Sequence, residues 1–234
     1  MKILALDATT AILTVCVWDD GAVMAETVVN CGRTHTERLM DTVDWVLREA
    51  GADVGGLDML AVAKGPGSFT GLRVGVAAMK GLALGAGLPL VGVPTLDALS
   101  RLPGRRDGTL CPVLDAKMSE VFGAVYRFRD GKRTRLSGDR VCPVESLIEG
   151  LEGPVLFFGD GAALYADRIR AVLPEAVFLP SAATVSRAWA VAEEASVLLA
   201  AGAGSNPDDV TPVYLRMSQA EEHRDRGMRE GAPA

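Results

Sequence analysis

The strongest constraint on this chain is a repeat within it. An apolar run ending in aspartate, a β-type segment and an Asp-Gly turn occur twice in the same order. Ile3 to Leu6 leads into Asp7, and Leu110 to Leu114 leads into Asp115, 108 residues later. The turns Asp20-Gly21 and Asp130-Gly131 lie 110 residues apart. Asp-Gly between two β-type runs favours a tight hairpin, because both residues adopt positive φ at little cost. Such a chain folds as two copies of one plan, a possibility to be weighed before single elements are assigned.

In the first copy, Leu13 to Trp18 and Val23 to Val29 carry the β-branched residues of a pleated hairpin. Thr34-His35-Thr36-Glu37 is a capping box and predicts a helix from Thr34 to Ala50. Leu39, Val43, Val46, Leu47 and Ala50 form its apolar stripe, with Trp45 off it beside Arg38. Met59 to Ala63 predicts a buried strand, Gly65 to Gly71 a loop, and Leu72 to Ala86 a helix. Leu90 to Val93 and Thr95 to Leu102 complete a βββαβαβα order. After a turn-rich break at 102–108, strands are expected at Leu110 to Leu114, Glu120 to Arg129 and Arg133 to Val141. A short helix near Val144 to Glu149, a strand at Val155 to Phe158 and a helix at Ala162 to Leu173 follow. A short strand near Val177 and a helix at Val185 to Ala201 close the copy. The expected domains are 1–104, 105–206 and a C-terminal extension 207–234, whose charged, Gly- and Pro-bearing last dozen residues should be mobile.

With 234 residues, 49% hydrophobic and 23% charged, the chain can bury a sizeable core without a metal or disulfide. Its 24 Lys and Arg against 30 Asp and Glu give a formal net charge of -6. That balance argues against coating nucleic acid by bulk electrostatics, so any RNA contact has to be local. Cys16, Cys31, Cys111 and Cys142 form no C-x-x-C pair and are expected to be reduced and mostly buried. No apolar stretch approaches the ~20 residues of a membrane span, and the start of the chain lacks signal-peptide character. A cytoplasmic protein with no membrane partner is expected.

A duplicated α/β plan whose first strands each end in aspartate resembles the layout of the actin-like, sugar-kinase (ASKHA) superfamily, with two lobes. In that superfamily glycine-bearing turns let backbone N–H groups approach ATP phosphates, and the aspartates help hold magnesium. Here the turns read Asp7-Ala8-Thr9-Thr10 and Asp115-Ala116-Lys117-Met118, without a glycine. Gly65 to Gly71 lies between a strand and a helix, where an anion could bind, but it lacks the Gly-Lys-Ser/Thr ending of a P-loop. The plainer reading is a turn fixed by Pro66, with Ser68 or Thr70 capping the helix. Asp160 in Gly159-Asp160-Gly161 reads the same way. Asp7, Thr9, Gly67, Ser68 and Asp115 therefore form a candidate vestigial nucleotide or anion site, and no tight independent ATP binding is expected. His35 and His223 are far apart, with no H-E-x-x-H or G-x-S-x-G motif, so neither a metal site nor a catalytic residue is assigned.

Two features point to contacts with other molecules. Gly71, Gly75, Gly81 and Gly85 fall in one helix, and each interior glycine costs about 1 kcal/mol relative to alanine. Gly71, Gly75, Ala78 and Gly85 lie within about 40° of one direction and leave a small-residue groove around Leu82, which a partner helix or the chain's own sheet could fill. Trp45 adds a candidate anchor. Arg127, Arg129, Lys132, Arg133, Arg135 and Arg140 cluster on the second hairpin, where charge ordinarily marks a solvated or edge-protecting surface. Contact with tRNA is the alternative.

The stretch Gly65-Pro66-Gly67-Ser68-Phe69-Thr70-Gly71-Leu72-Arg73 resembles the signature of the bacterial TsaB (YeaZ) family. The likeness extends through Ile3 to Asp7, His35 to Leu39, Gly92 to Leu96, Leu114 to Lys117, Phe158 to Ala162 and Pro212 to Arg216. The family's usual Asp-Ala-Arg stands here as Asp115-Ala116-Lys117. The resemblance implies an accessory, non-catalytic subunit for N6-threonylcarbamoyladenosine at position 37 of tRNAs reading ANN codons. It implies a TsaD-like catalytic partner, a TsaE-like ATPase, a homodimer when isolated, and tRNA reached through the complex. ATP and a metal ion belong to the partners, with no cofactor held by this chain alone. The helices Thr34 to Ala50 and Leu72 to Ala86 would form the interface, through His35, Arg38, Leu39, Trp45, Gly71, Gly75, Ala78, Met79 and Leu82. The alternative is a nucleotide-binding enzyme of the sugar-kinase class with its own ATP site.

Overall fold

The computed structural model describes residues 1–30, 35–104 and 106–216, without the side chains of His35, Thr36 and Ser181. The expected cap at Thr34, the side chain of His35, Cys31 and the tail beyond 216 lie outside the described residues.

β1 (Lys2–Asp7), β2 (Ile12–Asp19) and β3 (Ala22–Asn30) form an antiparallel meander, and β4 (Met59–Ala63) and β5 (Leu90–Val93) continue in parallel from β1. The order of this first sheet is β3-β2-β1-β4-β5. At the tip of the hairpin Asp20 and Gly21 both take positive φ, 43° and 95°, as the sequence required. β1 and β4 are apolar on both faces because both faces are covered. Leu4 and Leu6 point into a core with Leu39, Val43 and Val46 of α1 (His35–Glu49) and Val76, Met79 and Ala83 of α2 (Phe69–Ala86). Ile3 and Ala5 point the opposite way.

The second sheet repeats this pattern beyond α3 (Thr95–Leu99). β6 (Gly108–Lys117) stands between antiparallel β7 (Glu120–Gly123) and parallel β11 (Val155–Phe158), as β1 stands between β2 and β4. β8 (Tyr126–Arg129) pairs with the start of β6 and β9 (Lys132–Arg135) pairs with β8, while β10 (Arg140–Cys142) pairs with β7 and β12 (Val177–Phe178) with β11. The two long strands expected at 120–129 and 133–141 are each broken in two. The break is stable because Val125 N–H donates to the Ser137 hydroxyl at 2.9 Å and Val125 C=O accepts Leu136 N–H at 2.8 Å, so its buried backbone stays paired. α4 (Val144–Ile148), α5 (Asp160–Leu164) and α6 (Ala166–Val172) add Leu147, Ala162 and Ile169 to a core with Val113 and Phe157. α5 and α6 replace the single helix expected at 162–173, the chain leaving helical geometry at Tyr165.

The last helix does not pack on the second sheet. α7 (Ala188–Ala200) returns to the first sheet, where Ala188, Val191, Ala192 and Ala195 cover Ile3, Ala5, Met59 and Ala61. Without it one face of β1 and β4 would be bare, and its alanines let it approach closely. The following segment stays there too. Leu90 N–H donates to Ser205 C=O at 2.9 Å, Lys80 Nζ to the carbonyls of Asp208 and Val210 at 3.1 and 3.3 Å, and Val213 N–H to Lys64 C=O at 2.7 Å. Cys16, Cys111 and Cys142 are free thiols, the first two buried. No helix of the described residues is long and apolar enough to cross a membrane.

Candidate functional site

The two aspartate turns come first. Asp7 is fully buried, and its carboxylate accepts from Thr9 N–H at 2.7 Å and from the hydroxyl of Ser186, just before α7. Thr9 C=O accepts Ser68 N–H at 2.7 Å, and Ser68 caps α2 by accepting Gly71 N–H at 3.3 Å. A Cβ at Gly67 would stand 2.5 Å from Thr9 O, and one at Gly71 only 1.9 Å from Ala8 O. Glycine is therefore what lets the start of α2 sit directly on the turn. Asp7, Thr9, Gly67 and Ser68 do come together, as a packed junction in which the carbonyl oxygens of Ala8 and Thr9 face the helix N-terminus and the Asp7 carboxylate is taken by Thr9 and Ser186. Those groups do not fit a phosphate.

The second turn is filled in the same manner. Asp115 N–H donates to Asp160 Oδ1 at 3.0 Å, while the Asp115 carboxylate accepts from Lys117 N–H at 2.9 Å and from its Nζ at 2.5 Å. Tyr165 OH lies 3.4 Å from the same carboxylate. A Cβ at Gly159 would stand 2.2 Å from Val113 O and one at Gly161 2.7 Å from Leu114 C, so β6 receives its glycine loop as β1 receives 65–71. Burial pushes the Asp160 carboxyl above the usual aspartate value, against the opposing pull of the Asp115 and Gly161 N–H groups.

α2 presents a different surface from the one its glycines suggested. Gly71 and Gly75 face the chain's own turn and sheet, a Cβ at Gly75 lying 3.1 Å from Leu6 and 3.5 Å from Ala8. Leu39 and Met79 are core residues, 1% and 0% exposed, and Ala78 and Leu82 pack at the core's margin. Spacing alone fixes which residues share a direction, not which direction meets the sheet. The open stripe is Arg73, Ala77, Gly81 and Leu84, flanked by Gly85, and a Cβ at Gly81 or Gly85 meets nothing within 4 Å. On α1, Arg38 and Trp45 lie together as expected, lining a groove with Asp41 and Thr42 against Thr27 and Val29 of β3. Trp45 is 42% exposed and Met40 48%.

Two further groups bring together residues that lie far apart in the sequence. The Arg73 guanidinium stacks 3.9 Å above the Phe69 ring, and its Nε donates to Tyr214 OH at 3.0 Å, tying the start of α2 to the segment after α7. Both residues lie within the stretches that carry the family likeness. Between the sheets, Glu194 of α7 is buried and accepts from Arg101 Nε at 2.5 Å and Arg133 at 2.7 Å. Asp97 of α3 accepts from Tyr126 OH at 2.8 Å and pairs with Arg135 at 3.2 Å, and Arg135 also pairs with Asp139. Arg133, half-buried, thus belongs to this junction and Arg135 joins it from an exposed position, while Arg127, Arg129, Lys132 and Arg140 are exposed as expected of a solvated hairpin. The Asp130-Gly131 turn held the signal, since a two-residue turn pairs Phe128 with Arg133 and Tyr126 with Arg135 on the inward face.

Comparison with known proteins agrees with this geometry. The family described as TsaD: tRNA N6-adenosine threonylcarbamoyltransferase matches residues 29–222. The tRNA threonylcarbamoyladenosine biosynthesis protein TsaB of Bacillus subtilis (strain 168) is 30% identical over 227 residues, 94% of this chain and 96% of that protein. TsaB of Escherichia coli (strain K12) is 40% identical over 129 residues, 54% of this chain and 55% of that protein. YeaZ from Pseudomonas aeruginosa superposes with a TM-score of 0.79 at 26% identity, covering 92% of this chain and 99% of that one. With its like sheets, its glycine-seated turns and this likeness along nearly all of its length, the chain belongs to the TsaB (YeaZ) family.

Proposed function

We propose that this chain is the non-catalytic scaffold of the complex that installs N6-threonylcarbamoyladenosine at position 37 of tRNAs reading ANN codons. It docks and supports a TsaD-type catalytic subunit and works with a TsaE-type ATPase. One observation carries the reading: in a chain that matches TsaB along nearly all of its length, both first-strand turns are filled by the chain's own groups. ATP and the metal ion are then held by the partner subunits. The exposed stripe of α2 and the Trp45 groove of α1 provide the docking face, and the isolated chain pairs with itself through the same face.

The test is copurification with TsaD- and TsaE-type subunits, followed by a tRNA modification assay omitting each component in turn. Omission of this chain is expected to abolish modification. Gly81→Arg, placed where a side chain meets open space, is expected to lower partner recovery by about tenfold or more while the chain still melts cooperatively. Modification that proceeds without the chain, or ATP turnover by the chain alone, would overturn the proposal.

A further inference from the structure

We propose that the outer face of the β8–β9 hairpin is a docking surface for the phosphate backbone of RNA. The inference rests on the proposed role in tRNA modification, but its structural basis is separate from the docking face on α1 and α2. Alternation along β8 turns Tyr126 and Phe128 inward and leaves Arg127 and Arg129 exposed. The register sets Lys132 opposite Arg129 and Thr134 opposite Arg127, and both partners are exposed. Arg127 and Arg129 are two residues apart on one strand, about 7 Å, close to the step between successive phosphates on a nucleic-acid strand. Thr109 of β6 lies beside Arg127 and accepts its guanidinium N–H at 3.4 Å, extending the face with a hydroxyl group.

The carboxylates nearby do not neutralise this face. Asp139 is taken by Arg135 and Glu193 by Arg101; Asp107, which the β6–β8 register brings beside Arg129, forms no ion pair among the described residues, and Asp130 meets Arg129 only at 3.8 Å between two largely solvated side chains, a pairing of little strength. Among the described residues Arg127 and Lys132 form no ion pair. Arg133 and Arg135, on the inward face of the same strand, are engaged with Glu194 and Asp97. The hairpin therefore divides its cations into an inner set that joins the sheets and an outer set facing water. In a chain of net charge -6, that outer set is a local basic surface where bulk attraction to RNA is absent. Edge protection alone would also place charge on β9, but it makes no prediction for RNA.

The experiment measures fluorescence anisotropy of an unmodified tRNA transcript with the full chain at about 50 to 200 mM salt. Arg127→Gln, Arg129→Gln and Lys132→Gln are combined in one variant, and Arg170→Gln on α6 is the control. The triple variant is expected to flatten the slope of log affinity against log salt by about two to three, with affinity falling about tenfold or more at the lowest salt. The control leaves both unchanged. No binding by the parent chain, or an equal slope for parent and triple variant, overturns the inference. Because the substituted residues are exposed, the triple variant should still copurify with a TsaD-type subunit. Retained copurification with an unaltered slope refutes this inference alone, whereas absent copurification with the slope change intact refutes the scaffold reading alone.

Discussion

Substituting alanine at two glycines of one helix should move stability in opposite directions. Gly81 is exposed in the interior of α2, and an added Cβ there meets open space. Alanine removes backbone freedom from the unfolded chain and adds no contact, so Gly81→Ala should stabilise by about 1 kcal/mol. For a chain of this size that raises the melting temperature by about 2–4 °C. At Gly71 the same methyl group would stand 1.9 Å from the carbonyl oxygen of Ala8. Backbone must move by more than 1 Å (roughly the shortfall from ordinary contact), and overpacking of this kind costs about 1–3 kcal/mol or more. Gly71→Ala should therefore lower the melting temperature by about 2–12 °C. Gly75→Ala, facing the flexible end of Leu6 at 3.1 Å, should fall between them. Differential scanning fluorimetry of the three variants against the parent suffices. A stabilised Gly71→Ala or a destabilised Gly81→Ala would refute the assignment of the two faces of α2.

Two other measurements probe the junction and the second turn. Glu194→Ala leaves Arg101 and Arg133 without their shared carboxylate and should cost about 3 kcal/mol in urea unfolding, with Glu194→Gln losing less; a loss below about 1 kcal/mol would show that the network contributes little. At Asp160 burial raises the carboxyl's folded-state pKa, so the folded chain holds that proton more tightly than the unfolded chain does. The resulting stability is complete at low pH and lost as pH rises through the folded value. Asp160→Asn keeps an oxygen for Asp115 N–H and lacks this dependence, so it should gain on the parent as pH is raised from about 4 to 7. A pH-independent difference would contradict the raised carboxyl pKa.

Apolar runs bounded by turn residues read well in the sequence: β4, β5 and β11 have the bounds expected of them because burial on both faces leaves little room for polar interruption. The close approach at the 65–71 loop was also legible as a glycine-rich turn with Ser68 as cap. Other features required information that is not local. Spacing sets Gly71, Gly75 and Gly85 in one direction, yet Gly71 and Gly75 face inward while Gly85, at the far end of α2, meets nothing within 4 Å, because the position of the chain's own turn and sheet decides what is buried. The break at Val125 depends on the Ser137 hydroxyl, 12 residues away. Nothing local in the sequence marks the partners of Arg133 and Arg135, because their acceptors, Glu194 and Asp97, lie on distant helices.

The return of α7 to the first sheet has a consequence for how the chain is made. Translation yields the face bearing Ile3, Ala5 and Met59 early, but its cover ends at Ala200. Until then the nascent first half carries a wet, adhesive underside, and a fragment cut after the first repeat would keep it. The sequence repeats its plan twice, yet a helix made with the second copy completes the core begun by the first, so that core cannot close until α7 has been synthesised.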